Sequence, residues 1–208
     1  CIFTYIELID KTNYLNHYYF ISLISFLLIF LPANRYFSID TYLGLTKRTK
    51  KVQAWTINII KFQLAVVYIF AGISKLNYHW LFEAQPLTNW LKHQSDLPLI
   101  GGLMEYDITA YIFSWGGMLF DLSIPFILLN QKYRILGYIF VIIFHVLTSL
   151  MFPIGVFPFV MIVSTLIFFS DTFHERFLNI IQKIIPVRSN IHSPQIILSH
   201  SKTSKIVL

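Results

Sequence analysis

The chain has 208 residues, of which 56% are hydrophobic, 17% aromatic and only 12% charged, with a mean hydropathy of +0.63. Soluble domains carry roughly 25% charged residues, so this composition excludes them and points to an integral membrane protein. Its 16 Lys and Arg exceed 10 Asp and Glu, but they gather between apolar runs instead of along one polar face, which argues for membrane topology and against nucleic acid.

The N-terminal stretch "CIFTYIELI" starts without methionine and lacks the basic start, apolar middle and small-residue cleavage site of a signal peptide, so the chain reads as a piece of a longer protein. Its one cysteine, Cys1, excludes an intrachain disulfide and a cysteine metal site. Next comes "DKTNYLNHYYF", residues 10–20, which places Asp10, Lys11, Asn16 and His17 beside aromatics ahead of the first apolar run. Taken alone, that segment reads as a polar helix cap with an aromatic belt.

Five apolar runs follow, at 18–33, 55–74, 109–129, 135–152 and 156–169, near the ~20 residues a helix needs to cross ~30 Å of hydrocarbon. They show no period-two alternation, and lipid forces every backbone group to be satisfied within its own segment, so helices are expected. The fold class is therefore all-α, a polytopic bundle of about five transmembrane spans. Pro153 and Pro158 predict an irregular entry to the last and shortest run. Beyond it, "DTFHERFLNIIQKII" repeats Phe173, Phe177, Ile180, Ile181 and Ile184 at helical spacing, which predicts an interfacial amphipathic helix on the cytoplasmic side. Two parts are expected: a membrane domain over 1–170, then an amphipathic segment with a polar tail over 171–208.

Loop charge orients the spans. Arg35, Lys47, Arg48, Lys50 and Lys51 stand against Asp40 in 34–51, and Lys132 and Arg134 lie in 130–134; short basic loops stay cytoplasmic. The connection 75–108 holds Lys75 and Lys92 against Glu83, Asp96, Glu105 and Asp107 and belongs on the opposite, extracytoplasmic face. Spans one and two then form a hairpin that brings His17 and Lys75 to similar depth.

Ionisable groups inside or at the edge of hydrocarbon cost several kcal/mol unless paired, solvated or neutralised. Lys61, Lys75, Asp121 and His145 are of this kind. Lys61 lies near the inner end of its span and can snorkel to the headgroups. Lys75, with Tyr78 and Trp80 just beyond it, reads either as an interfacial anchor or as a lysine poorly solvated enough to serve as a general base. Asp121 follows Gly116 and Gly117, which allow close approach of another helix or a ligand; its plainest role is pairing with a serine, an amide or a lysine of a neighbouring span. His145, mid-span, reads as a hydrogen bond between helices or as a site residue. His17, His79, His93 and His145 lack helical i, i+4 spacing and a matching carboxylate pattern, so no metal site is expected. Phosphate-loop, HExxH and G-x-S-x-G motifs are absent.

The strings "LIDKTNYLNHYYF", "FAGISKLNYHW", "GGMLFDLSIPFILL", "IIFHVLTSLMFPIGVFPFVMI" and "FFSDTFHERF", in this order and spacing, resemble the membrane domain of vitamin K-dependent gamma-glutamyl carboxylase and its bacterial HTTM-type relatives, over about residues 5–178. The resemblance implies an enzyme that oxidises a reduced quinone, vitamin K or a menaquinol, with O2 to its epoxide. The strongly basic intermediate then removes a γ-proton from a glutamate, and the carbanion adds CO2. It also implies that Lys75 deprotonates the quinol, that His17, with Asn16 beside it, assists the carboxylation half, and that His145 lines the site; the residues themselves add Asn16 and Asp121 as further site-lining candidates. The partners implied are the bilayer, a lipophilic quinol and an exported glutamate-containing protein or peptide, with no metal and no nucleic acid. Two departures stand out. Ser74 replaces a lysine of the animal enzymes, and the chain ends in "VRSNIHSPQIILSHSKTSKIVL" where the family's carboxylases continue into another span and a large outer domain. Alternative readings are a catalytically silent membrane interaction module and, with less support, a small-molecule carrier lined by Asp121 and His145.

Overall fold

The computed structural model describes residues 2–9, 16–36, 38–49, 51–98 and 100–184, and every regular element among them is helical. The chain divides into two compact units, Cys1–Phe169 and Ser170–Leu208.

In the first unit, α1 (Ile2–Ile9) is followed by α2 (Asn16–Phe30), the short α3 (Ile39–Tyr42) and the long α4 (Ala54–Ser74). Three short helices come next, α5 (Tyr78–Phe82), α6 (Leu87–Lys92) and α7 (Gly101–Met104). The unit closes with α8 (Asp107–Leu129), α9 (Arg134–Met151), α10 (Phe157–Thr165) and a 3-10 turn, Leu166–Phe168. Helices α4, α8 and α9 are long and apolar enough to cross a membrane, and their bounds lie within two residues of the runs expected at 55–74, 109–129 and 135–152. The other two expected spans are shorter. The 15 residues of α2 rise about 22 Å, less than the ~30 Å of hydrocarbon, and α10 begins after the positive-φ Gly155 with Pro158 in its first turn and gives way to a 3-10 turn after Thr165.

Helix α8 is the central element. It packs most extensively against α4 and also against α9, which in turn packs on α10. The share of its apolar window that is buried is 39%, against 22% in α4 and in α9, so α4 and α9 keep most of their surface for lipid. Phe62 and Phe70 of α4 and Ile135 and Ile143 of α9 are accordingly exposed. The principal core gathers Phe20, Leu64, Tyr68, Ile124, Leu128, Val141, Met161 and Phe168.

A second core has no counterpart in the sequence reading, which treats 75–108 as a polar connection. Ala84, Leu87 and Leu91 bury against Met104, Ala110 and Met151, so the connection folds into a cap over one end of α8 and α9. Its apolar residues recur too briefly for a periodic signal. Their burial depends on the helix ends they meet.

The turn between α2 and α4 is also ordered, by hydrogen bonds within itself. Ser38 caps α3, accepting from the Thr41 N–H, and the Asn34 carbonyl accepts from Ser38 Oγ, Thr41 Oγ1 and Thr46 Oγ1 at 2.5, 2.9 and 3.1 Å.

The second unit contains α11 (Asp171–Ile184), where Phe173 and Phe177 stack one turn apart and Phe177 and Ile180 are exposed. The side chains of Ile181 and Ile184, and residues 185–208, lie outside the described residues, as do Asp10 and Lys11.

Candidate functional site

Lys75 ends α4, its backbone N–H donating to the Gly72 carbonyl. Its side chain folds back along the helix end, and Nζ donates to the Ala71 carbonyl at 3.1 Å and to Asp121 Oδ2 at 2.5 Å. The pair is largely withdrawn from solvent: 19% of the Lys75 side chain and 4% of the Asp121 side chain are exposed. Nζ also lies 5.4 Å from the Trp80 ring centre, within reach of the ring's negative face. Asp121 thus pairs with a lysine of a neighbouring helix, one of the partners open to it in the sequence.

Close approach of α4 and α8 makes the pair possible. A Cβ built on Gly72 would fall 2.6 Å from the Leu122 side chain and 3.1 Å from the Leu122 backbone nitrogen, so only glycine lets α8 come this near at the level of Asp121. The glycines singled out in the sequence behave differently. Gly116 has open space where a Cβ would stand, and Gly117 meets only Phe144, at 3.9 Å. Pro125 lies inside α8 and has no N–H to donate to the Asp121 carbonyl four residues earlier, so a gap in the helix ladder adjoins the buried carboxylate.

The cap seals this end. Asn77 starts α5 by accepting from the Trp80 N–H. Trp80 Nε1 then donates to the Ser114 carbonyl at 2.9 Å, while Ser114 Oγ returns a bond to the Trp80 carbonyl. Trp115 Nε1 reaches the Leu81 carbonyl at 2.9 Å and the Tyr111 hydroxyl the Phe82 carbonyl at 2.8 Å. Four bonds from one face of α8 therefore hold α5, and with it the indole beside Lys75.

Deeper in the bundle His145 is buried, with Nε2 3.0 Å from the Tyr68 hydroxyl. Rings of Phe120, Phe144 and Phe157 surround the imidazole. Phe157 also meets His17, ring centres 5.1 Å apart, so one phenylalanine stands between the two histidines. His17 Nε2 is buried and has no hydrogen-bond partner among the described residues. Asn16 opens α2 beside it; its side chain lies outside the described residues. Lys61 stands apart, 5.9 Å from the Phe168 ring centre.

Two groups escaped the sequence reading. Tyr68 precedes Lys75 by two helical turns with Gly72 between them, so all three share the face of α4 that meets α8; that i, i+4, i+7 spacing is visible in the sequence. The hydrogen bonds between Ser114 and Trp80 join residues 34 apart, and nothing local announces them.

Chemically, these residues offer an amine in contact with a carboxylate, a tyrosine–histidine hydrogen bond and a second imidazole whose buried Nε2 has no partner among the described residues, all among aromatic rings. Apolar helices of crossing length around these polar groups are the design of a membrane protein. A family model described as HTTM domain matches residues 1–173, and the chain belongs to that family, the HTTM-type membrane domain related to the gamma-glutamyl carboxylases. No solved structure gives a significant match.

Proposed function

We propose that the protein is a multi-pass membrane enzyme of the carboxylase type, in which Lys75 deprotonates a lipid-soluble quinol on the extracytoplasmic side. The observation that carries this reading is the contact of Lys75 Nζ with Asp121 Oδ2 at 2.5 Å in a largely dry setting. The proposed step uses Lys75 as a neutral amine, with the adjoining Asp121 carboxylate as the group that takes up its ammonium proton. That amine then accepts the quinol hydroxyl proton, and the quinolate forms against an ammonium. O2 and the quinolate go on to the epoxide and water. With CO2 and an exported glutamate substrate, the intermediate base would drive carboxylation; without them, epoxidation stands alone. In this reading His17 Nε2 hydrogen-bonds a group of the bound substrate, and His145, held by the Tyr68 hydroxyl, lines the site. In this reading α2 and α10 complete five spans, Asn16 adjoins the site, and α11 lies along the cytoplasmic interface.

A second reading, a catalytically silent interaction module, has its own supporting observation: the amine of Lys75 already has two protein acceptors, Asp121 and Ala71. One experiment separates the two. Purified protein is supplied with reduced quinone, O2, labelled bicarbonate and a glutamate peptide, and epoxide and fixed label are scored separately. The enzyme reading expects epoxide from wild type and none from Lys75→Ala or Lys75→Arg. The arginine variant keeps a cation for Asp121 but cannot give up its proton, so it tests basicity in a folded protein. Turnover by the arginine variant at the wild-type rate would remove Lys75 as the base, and absence of epoxide and of quinone binding in wild type would establish the silent module.

A further inference from the structure

At the other end of α4, away from Lys75, a cleft of about 430 Å³ opens between the end of α2 and the start of α4. Its lining combines two cations, Arg35 and Lys51, with the polar side chains of Asn34, Gln53 and Thr56 and the apolar groups of Phe30, Val52 and Trp55. Neither cation forms an ion pair among the described residues. The one carboxylate of the 34–51 turn, Asp40, accepts a hydrogen bond from Asn34 Nδ2 at 3.0 Å, so it is engaged within the turn. Helix α4 starts at this cleft with no side-chain cap on its first turn, adding the partial positive charge of its free amides. Phe30, Val52 and Trp55 are exposed at the ends of apolar helices, where headgroups give way to acyl chains.

We infer that this cleft binds the headgroup of an anionic phospholipid, with Arg35 and Lys51 on the phosphodiester and Phe30, Val52 and Trp55 against the upper acyl chain. The ligand chemistry is a phosphate carrying one negative charge, and its apolar rim selects a lipid over a free anion. Basic pockets between membrane helices are suited to such headgroups, and arginine forms two parallel bonds to phosphate oxygens. This inference is independent of the chemistry proposed for Lys75.

Trp55 supplies the probe, because the other tryptophans, Trp80, Trp90 and Trp115, lie in the cap or in the half of α8 that meets it. Full-length protein is reconstituted in phosphatidylcholine with brominated phosphatidylglycerol or brominated phosphatidylcholine, and the difference in quenching between wild type and Trp55→Phe isolates the signal of Trp55. The anionic lipid is expected to quench Trp55 at lower mole fraction than the zwitterionic one. That preference should fall roughly fivefold for each charge removed, in Arg35→Gln and in Lys51→Gln. Lys47→Gln with Arg48→Gln removes as much charge from the same turn outside the cleft and should leave the preference in place, as should the charge-keeping Arg35→Lys with Lys51→Arg. Equal quenching by both lipids in wild type would overturn the inference, and so would an equal loss in the Lys47/Arg48 variant, which would mean a diffuse basic surface. Inorganic phosphate at constant ionic strength should not displace the lipid; displacement would assign the cleft to a free anion and overturn the lipid assignment.

Discussion

The two ends of the first long helix handle charge in opposite ways. At the Lys75 end the amine is matched one to one with Asp121 and roofed by α5, which α8 holds through Trp80, Leu81 and Phe82. At the Arg35 end Arg35 and Lys51 form no ion pair among the described residues, and the turn satisfies itself through the Asn34 carbonyl while a cleft stays open beside it. The contrast follows from solvation. A charge drawn under a protein roof loses its water and needs a specific partner, whereas a charge at an open rim keeps its water and remains available to a ligand from outside.

If that contrast is right, the closed end should be intolerant and the open end forgiving. The largest effect is expected from Asp121→Leu, which strands the Lys75 amine and should cost about 3–5 kcal/mol. Adding Lys75→Met should recover most of that loss, and thermal unfolding of the four proteins in detergent provides the cycle. A smaller loss, about 1–3 kcal/mol, is expected for Gly72→Val, whose branched side chain must push Leu122 and α8 away. The same melts measure it, and an unchanged midpoint would show that α4 and α8 can separate without penalty. Tyr68→Phe leaves buried His145 Nε2 without its partner and should cost about 1–3 kcal/mol. Trp80→Phe keeps a ring near Lys75 but removes the bond to the Ser114 carbonyl, about 1 kcal/mol. Its sharper readout is faster amide hydrogen exchange confined to 78–82. Least of all, Arg35→Gln with Lys51→Gln should move the melting midpoint by no more than about 0.5 kcal/mol equivalent; a large loss there would mean that these cations are structural and the two ends are not different in kind.

The long helices were legible because their signal is local and repeated: an apolar run of membrane length leaves the backbone no other way to satisfy its hydrogen bonds. The bounds of α4, α8 and α9 could therefore be read almost to the residue. The ends of α2 and α10 were less legible, since a helix boundary depends on caps and prolines more than on apolarity. The cap over Lys75 was missed because the spacing of Ala84, Leu87 and Leu91 is interrupted at Pro86 and covers only one short helix, and these residues become a core only on meeting Met104, Ala110 and Met151.

The candidate site divides in the same way. Lys75, Asp121, His145 and His17 could be listed from the sequence because each is an expensive residue in an apolar setting, and cost is a property of position along the chain. Who pairs with whom was not in the list. Lys75 and Asp121 are 46 residues apart and Tyr68 and His145 are 77 apart, and both pairs exist because α8 packs against α4 and α9 with particular helix faces turned together. Sequence by itself determined that these helices form in a membrane and that they carry charge at a cost. Only the tertiary structure decided which charge is compensated, since compensation is a distance of a few ångströms between segments, set by how closely a glycine such as Gly72 lets two backbones approach.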